Sequence, residues 1–165
     1  LDVLPYSGIR ELMEERKKRV EKPVYPTATW NFADFKSKET GIALAVEELE
    51  LIWQIHQTMQ QANKNLGVGP RIVRQIDAYL KNLPANKQLT RAEAFDLQIK
   101  QRILTKLRGP EDQLGQLIRL GEGDGSLEGT FAEILDAHPH ISAFTHTRKT
   151  LFEKAKELRA NGYAV

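Results

Sequence analysis

From residue 42 to residue 120, apolar side chains recur every three to four positions, and Gly67-Val68-Gly69-Pro70 and Gly109-Pro110 cut the run into pieces. That spacing marks amphipathic helices, and glycine and proline are what stop them. The chain is therefore expected to be all-α, with short helices packed stripe against stripe as a bundle. The first stripe is Ala45, Leu49, Ile52, His56, Met59 and Leu66, widened by Leu51 and Ile55, with Gly67 as its stop. Pro70 opens the second helix, whose apolar face is Ile72, Val73, Ile76, Tyr79 and Leu80. After the polar loop "NLPANKQL", Thr90 and Glu93 form the capping box of a third, with Phe95, Ile99, Ile103 and Leu107 facing inward. A short fourth helix over 111–120 presents Leu114, Leu117 and Ile118.

The flanks differ in texture. In residues 1–41, Ser7 is placed to cap "GIRELMEERKKRVEK", whose stripe of Ile9, Leu12, Met13 and Val20 is thin. Pro23 and Pro26 end it, and Trp30, Phe32 and Phe35 follow in an irregular stretch suited to docking on something larger. "GEGDGSLEG" reads as a linker over 122–129 between a helical domain, 42–121, and a small, mainly helical extension, 130–165. In the extension, one helix stops before Pro139. A second carries Leu151, Phe152, Ala155 and Leu158 and ends at Asn161-Gly162, and Tyr163-Ala164-Val165 is placed to begin a strand.

Composition narrows the chemistry. A chain of 165 residues buries enough surface to fold without metal or disulfide. It has no cysteine, which removes thiolate zinc sites and cysteine nucleophiles and fits a reducing cytoplasm. No signal peptide or membrane-spanning run is visible. A net charge of +2 makes no case for nucleic acid by itself. The start at Leu1 and the stop at Val165, just as the sequence turns apolar, suggest a piece of a longer polypeptide.

Most motifs for a site fail. G-x-x-x-x-G-K-[ST] is absent, and the carboxylates of "GEGDGSLEG" would repel phosphate. Counted as a calcium loop from Asp124, Ser126 and Glu128 take ligand places and Gly129 the turn. Leu135 then stands where the closing glutamate belongs. His138, His140 and His146 read as loop histidines and not as metal ligands, and His56 as a satisfied core histidine. No serine has a G-x-S-x-G setting. Lys100, Arg102, Lys106 and Arg108 end the third helix. They either suit the helix dipole on a solvated face or contact nucleic acid or a neighbouring subunit.

Arg71 is the exception. A helix start carries partial positive charge, so a cation there costs about 0.3–1 kcal/mol where an anion would stabilise. Either it is a tolerated surface cation, with Arg74 one turn on paired to Asp77, or an external anion completes the site. An arginine beside free N–H groups at a helix start is a phosphate site.

"GVGPRIVRQIDAYL", followed by "LTRAEAFDLQIKQRILTKLRGPEDQLGQLIRL", resembles the C-terminal lid of AAA+ ATPases of the McrB type, the motors of modification-dependent restriction systems. Asp96, Ile103-Leu104, Lys106-Leu107 and Gly109 carry the most specific part of the likeness. Thr105 departs from it, since many members have proline there. "FTHTRKTLFEKAKELRANGYAV" is similar to the tail of such proteins. The resemblance implies a lid fold in which Arg71 is the sensor-2 arginine, reaching the terminal phosphates of ATP or GTP with magnesium, and Arg74 a weaker candidate. It implies as partners an AAA+ core domain, neighbouring subunits of a ring, a nuclease subunit and DNA. Without Walker A, Walker B or sensor-1 residues, these 165 residues are expected to hold no catalytic residue and no resident metal. The alternative is a non-enzymatic helical module that binds DNA or protein through Lys100, Arg102, Lys106 and Arg108.

Overall fold

The computed structural model describes residues 41–84, 88–123 and 125–165. The expected helix after Ser7, the aromatics Trp30, Phe32 and Phe35, and Asp124 lie outside the described residues.

Helices form where the periodicity places them: α1 Val46–Ala62, α2 Pro70–Lys81, α3 Arg91–Gln98, α4 Glu111–Leu114, α5 Thr130–Ala137 and α6 Thr145–Asn161. The described residues are mainly helical, and no helix among them is long and apolar enough to cross a membrane. Leu51, Ile55, Met59, Ile76, Phe95, Ile99, Ile103, Leu107 and Leu114 are fully buried in one apolar cluster. Phe131, Leu135, Phe144 and Leu151 belong to the same cluster, so the segments before and after residues 122–129 share a core.

Four two-residue strands join the helices. β1 Gly109–Pro110 pairs antiparallel with β4 Tyr163–Ala164, and β2 Arg119–Leu120 pairs antiparallel with β3 Leu127–Glu128. The strand expected at Tyr163 thus exists, and its partner is the break that ends the third helix. The glycine-rich stretch expected as a linker closes the second ladder, with the Gly121 N–H donating to the Ser126 carbonyl at 2.8 Å.

Several boundaries move for local reasons. α1 stops at Ala62, not at Gly67, because Asn63 turns extended and its side-chain oxygen accepts from the Asn65 N–H, offering the backbone an alternative to the helix. Tyr79 is exposed, not on the buried face, and Ala45 is an exposed residue ahead of α1. The fourth helix is a single turn, because the carbonyls of Gln116 and Leu117 accept from Thr130 and Phe131 and so cap α5. Gly129 makes that approach possible: its φ is 109°, and a Cβ there would sit 2.5 Å from the Leu117 oxygen.

The third helix begins as expected. The Glu93 N–H donates to the Thr90 hydroxyl at 3.2 Å, and the Thr90 N–H donates to the Glu93 carboxylate at 3.1 Å. It then widens into a π-helical stretch, Ile99–Ile103, and tightens into a 3₁₀ turn, Leu104–Lys106. Ile103, Leu104 and Leu107 are all fully buried along it, while Arg102 and Lys106 reach out toward α2.

Two buried carboxylates bind distant parts of the chain. Glu48 accepts from the Ala45 N–H at 2.8 Å and from the Arg91 guanidinium at 2.6 Å, and Arg91 also donates to the Ala43 carbonyl. Asp96 accepts from the N–H groups of His146 and Thr147 at 2.8 and 2.9 Å and so caps α6. Gly162, at φ 67°, is the left-handed cap at the far end of α6.

Candidate anion site at the start of α2

Gly69 precedes α2 in extended conformation with no side-chain cap, Pro70 takes the first helical position, and the first turn has no acidic residue. Arg71, at the second position, is exposed, and no hydrogen bond or ion pair joins it to any described residue. Arg74 is exposed as well, and the expected pairing with Asp77 does not form. Asp77 faces the other way. It accepts from the N–H groups of Ala43 and Leu44 at 2.7 and 3.0 Å and pairs with Lys81 at 3.4 Å.

The four cations at the end of α3 divide. Arg102 Nε donates to Gln98 at 2.6 Å and its terminal nitrogen to Gln75 of α2 at 2.8 Å. Lys106 Nζ donates to the Gly67 carbonyl at 3.0 Å, just ahead of α2. Gln75 lies one turn beyond Arg71 on the same helical face. Arg102 thus contacts α2 one turn beyond Arg71, and Lys106 the loop just ahead of the helix, and no carboxylate is paired with any of the three among the described residues. Lys100 is half-buried and Arg108 exposed, and they do not join this group through any contact. Arg108 instead acts on Lys154, whose ammonium is pushed below its usual range by burial, against the pull of Glu157 and with a further push from Arg108.

The loop before α2 is held by residues that the sequence marks only as core and punctuation. His56 is half-buried, and its Nδ1 accepts from the Val68 N–H at 3.0 Å. Its ring stacks on Trp53, with centroids 5.1 Å apart. The "GVGP" motif points to a turn; the histidine eleven residues upstream gives no sign of reaching it.

The other histidines are engaged separately. His138 Nδ1 lies 2.8 Å from the Ile134 carbonyl, and His140 Nε2 is 3.6 Å from Glu47. Among the described residues, no three histidine or carboxylate side chains are arranged to hold a metal ion. A cleft of about 750 Å³ opens between α4, the β2–β3 hairpin and α6, lined by Glu111, Asp112, Glu122, Glu128, Arg119 and Arg159. Its excess of carboxylates suits it poorly to an anion.

The exposed Arg71 guanidinium and the N-terminus of α2 are groups suited to an oxyanion. No curated protein and no solved structure matches the chain. A family model does match residues 21–163, and the chain belongs to that family, described as Domain of unknown function (DUF8727).

Proposed function

We propose that this chain is the lid and helical extension of a McrB-type AAA+ NTPase, and that Arg71 is its sensor-2 arginine. The observation that carries the reading is an exposed arginine, without a partner among the described residues, in the first turn of a proline-started helix whose first turn has no acid. Arg102 and Lys106 add positive charge nearby, though each donates to the protein itself. In such a protein the missing anion is the terminal phosphate of ATP or GTP, carried with magnesium by a core domain. The whole protein would be a cytoplasmic ring that acts on DNA with a nuclease subunit. The rival DNA- or protein-binding module loses support because Arg102 and Lys106, half of its contact set, already have acceptors within the fold.

The test is Arg71→Ala in the full-length protein. Charge builds on the phosphoryl oxygens during transfer, so a guanidinium there gains strength in the transition state. Hydrolysis should fall by roughly one to three powers of ten. The melting temperature should hold or rise slightly, because a cation leaves the positive end of the helix dipole. Arg74→Ala should matter less, being further from the helix start. Full hydrolysis in Arg71→Ala, or loss only through unfolding, would sink the assignment.

A further inference from the structure

We propose that His56 and Lys106 form a proton-sensitive latch on the Gly67–Val68 peptide, and that this latch fixes the start of the helix carrying Arg71. The consequence for Arg71 rests on the nucleotide reading above; the latch itself does not. A single peptide unit is gripped at both of its polar atoms. Its carbonyl accepts from Lys106 Nζ, at the end of the α3 segment, at 3.0 Å. Its N–H donates to His56 Nδ1, on α1, also at 3.0 Å. An ammonium drawing on the carbonyl polarises the amide and makes the N–H a better donor, so each bond strengthens the other.

The fit around the imidazole is close. A Cβ on Gly67 would stand 2.9 Å from His56 Nδ1 and 3.1 Å from Cε1, and Gly67 has φ 154°. Stacking on Trp53 fixes the plane of the ring. Beyond Val68 only Gly69 and Pro70 precede Arg71, and the proline ring fixes its own φ. A shift of the gripped peptide is therefore passed directly to the first turn of α2.

The latch holds in one protonation state. Because Nδ1 accepts, the ring proton sits on Nε2, and the neutral imidazole has no second lone pair to offer. A second proton turns Nδ1 into a donor facing the Val68 N–H, while the Lys106 charge stands at the other end of the same peptide. Among the described residues, Trp53 of α1 stacks on the ring, Gly67 of the loop lies against it and Lys106 of the α3 segment stands across the peptide. No carboxylate among the described residues bonds to the ring to support the cation. Acid therefore opens the latch.

Hydrogen exchange at the Val68 amide, measured by NMR on the 165-residue chain at pH 8 and pH 5 and expressed as protection over the unstructured rate, reads this directly. In the wild type, protection should fall about tenfold on acidification, the equivalent of about one hydrogen bond. His56→Leu should be poorly protected at both pH values, and Lys106→Met should lose protection at pH 8. In His56→Asn the side-chain oxygen can replace Nδ1 as acceptor and does not titrate, so protection should survive at both. The Ile103 amide, in the core, should not change in any of them. Equal Val68 protection in wild type and His56→Leu at both pH values would overturn the latch, whatever the protein does with nucleotide. In the full-length protein, His56→Leu and Arg71→Ala should combine to less than the product of their separate losses of turnover. A responsive Val68 amide together with full hydrolysis in Arg71→Ala would leave the latch standing and remove its functional consequence.

Discussion

Asp96 carries more of the tertiary structure than any cation in the candidate site. Its carboxylate is buried at the start of α6, bonded to two backbone N–H groups that have no other acceptor, and its own carbonyl accepts from the Thr147 hydroxyl. Next to it Phe144 is held at φ 51°, a left-handed conformation costly for a bulky residue, with its ring edge-on to Phe95 at 6.5 Å. The carboxylate sits at the positive end of α6, where it both caps the helix and offsets its dipole. Asp96→Ala leaves one buried and one partly buried donor unsatisfied and should cost about 2–4 kcal/mol. In a domain of this size that corresponds to a fall in melting temperature of roughly 10 °C. Asp96→Asn keeps an acceptor and should lose less. A melting temperature within a degree or two of wild type for Asp96→Ala would show that water caps α6 equally well.

Among the elements, α2 is tied to the chain ahead of α1 through Asp77. Burial by itself would raise that carboxyl, but the N–H groups of Leu44 and Ala43, aided by Lys81, outweigh it and hold it below the usual carboxylate range. The folded state thus binds this proton less readily than the unfolded chain. The stability it contributes is complete above the unfolded value, about 3.9, and drains away as pH falls through the lower folded one. Asp77→Asn should cost about 1 kcal/mol at pH 7, a modest figure because the pair with Lys81 is partly solvated. The gap between variant and wild type should close as pH falls below 3. Urea titrations at both pH values measure it, and a gap that persists unchanged in acid would mean that the charge contributes nothing.

The elements also show what a single sequence could and could not reveal. The buried face of the third helix and its capping box were legible because both are local, set by spacings of three and four. The Asp96 cap was not, because its partners stand 50 and 51 residues further on and nothing near Asp96 distinguishes it from a surface acid. The π-helical stretch escaped for a related reason. Ile99, Ile103 and Leu107 read equally well as an ordinary helical stripe, and only packing decides that Leu104 must be buried too. At the candidate site, Arg71 was visible as an electrostatic misfit at a helix start. Its setting was not, since Gln75, Arg102, Lys106 and His56 meet there only through tertiary contacts.

For the whole molecule, the question is whether its cations add up to a nucleic-acid surface. Net charge is +2, and among the described residues much of the positive charge is taken up by acceptors within the fold. Arg102 and Lys106 are bound to Gln75, Gln98 and Gly67, Lys81 to Asp77, Arg91 to Glu48 and Arg148 to Asp136. The cleft beside α6 adds a region rich in carboxylates. Among the described residues, Arg71, Arg74, Lys100 and Arg108 are left as the site and α3 cations without a bonded acceptor, and each phosphate contact contributes about −0.9 to the slope of log K against log salt. Even with all four engaged, the slope would be no steeper than about −4, well short of the 6–10 contacts on which salt-dependent duplex binding is commonly built. The 165-residue chain should therefore bind duplex DNA with a Kd of roughly 10 μM or weaker at 150 mM salt, with a shallow dependence on salt between 50 and 200 mM. Fluorescence anisotropy with a labelled duplex measures both. Submicromolar binding at 150 mM with a slope steeper than about −6 would require a basic surface larger than these residues provide, and would favour the DNA-binding module over the nucleotide-sensing lid.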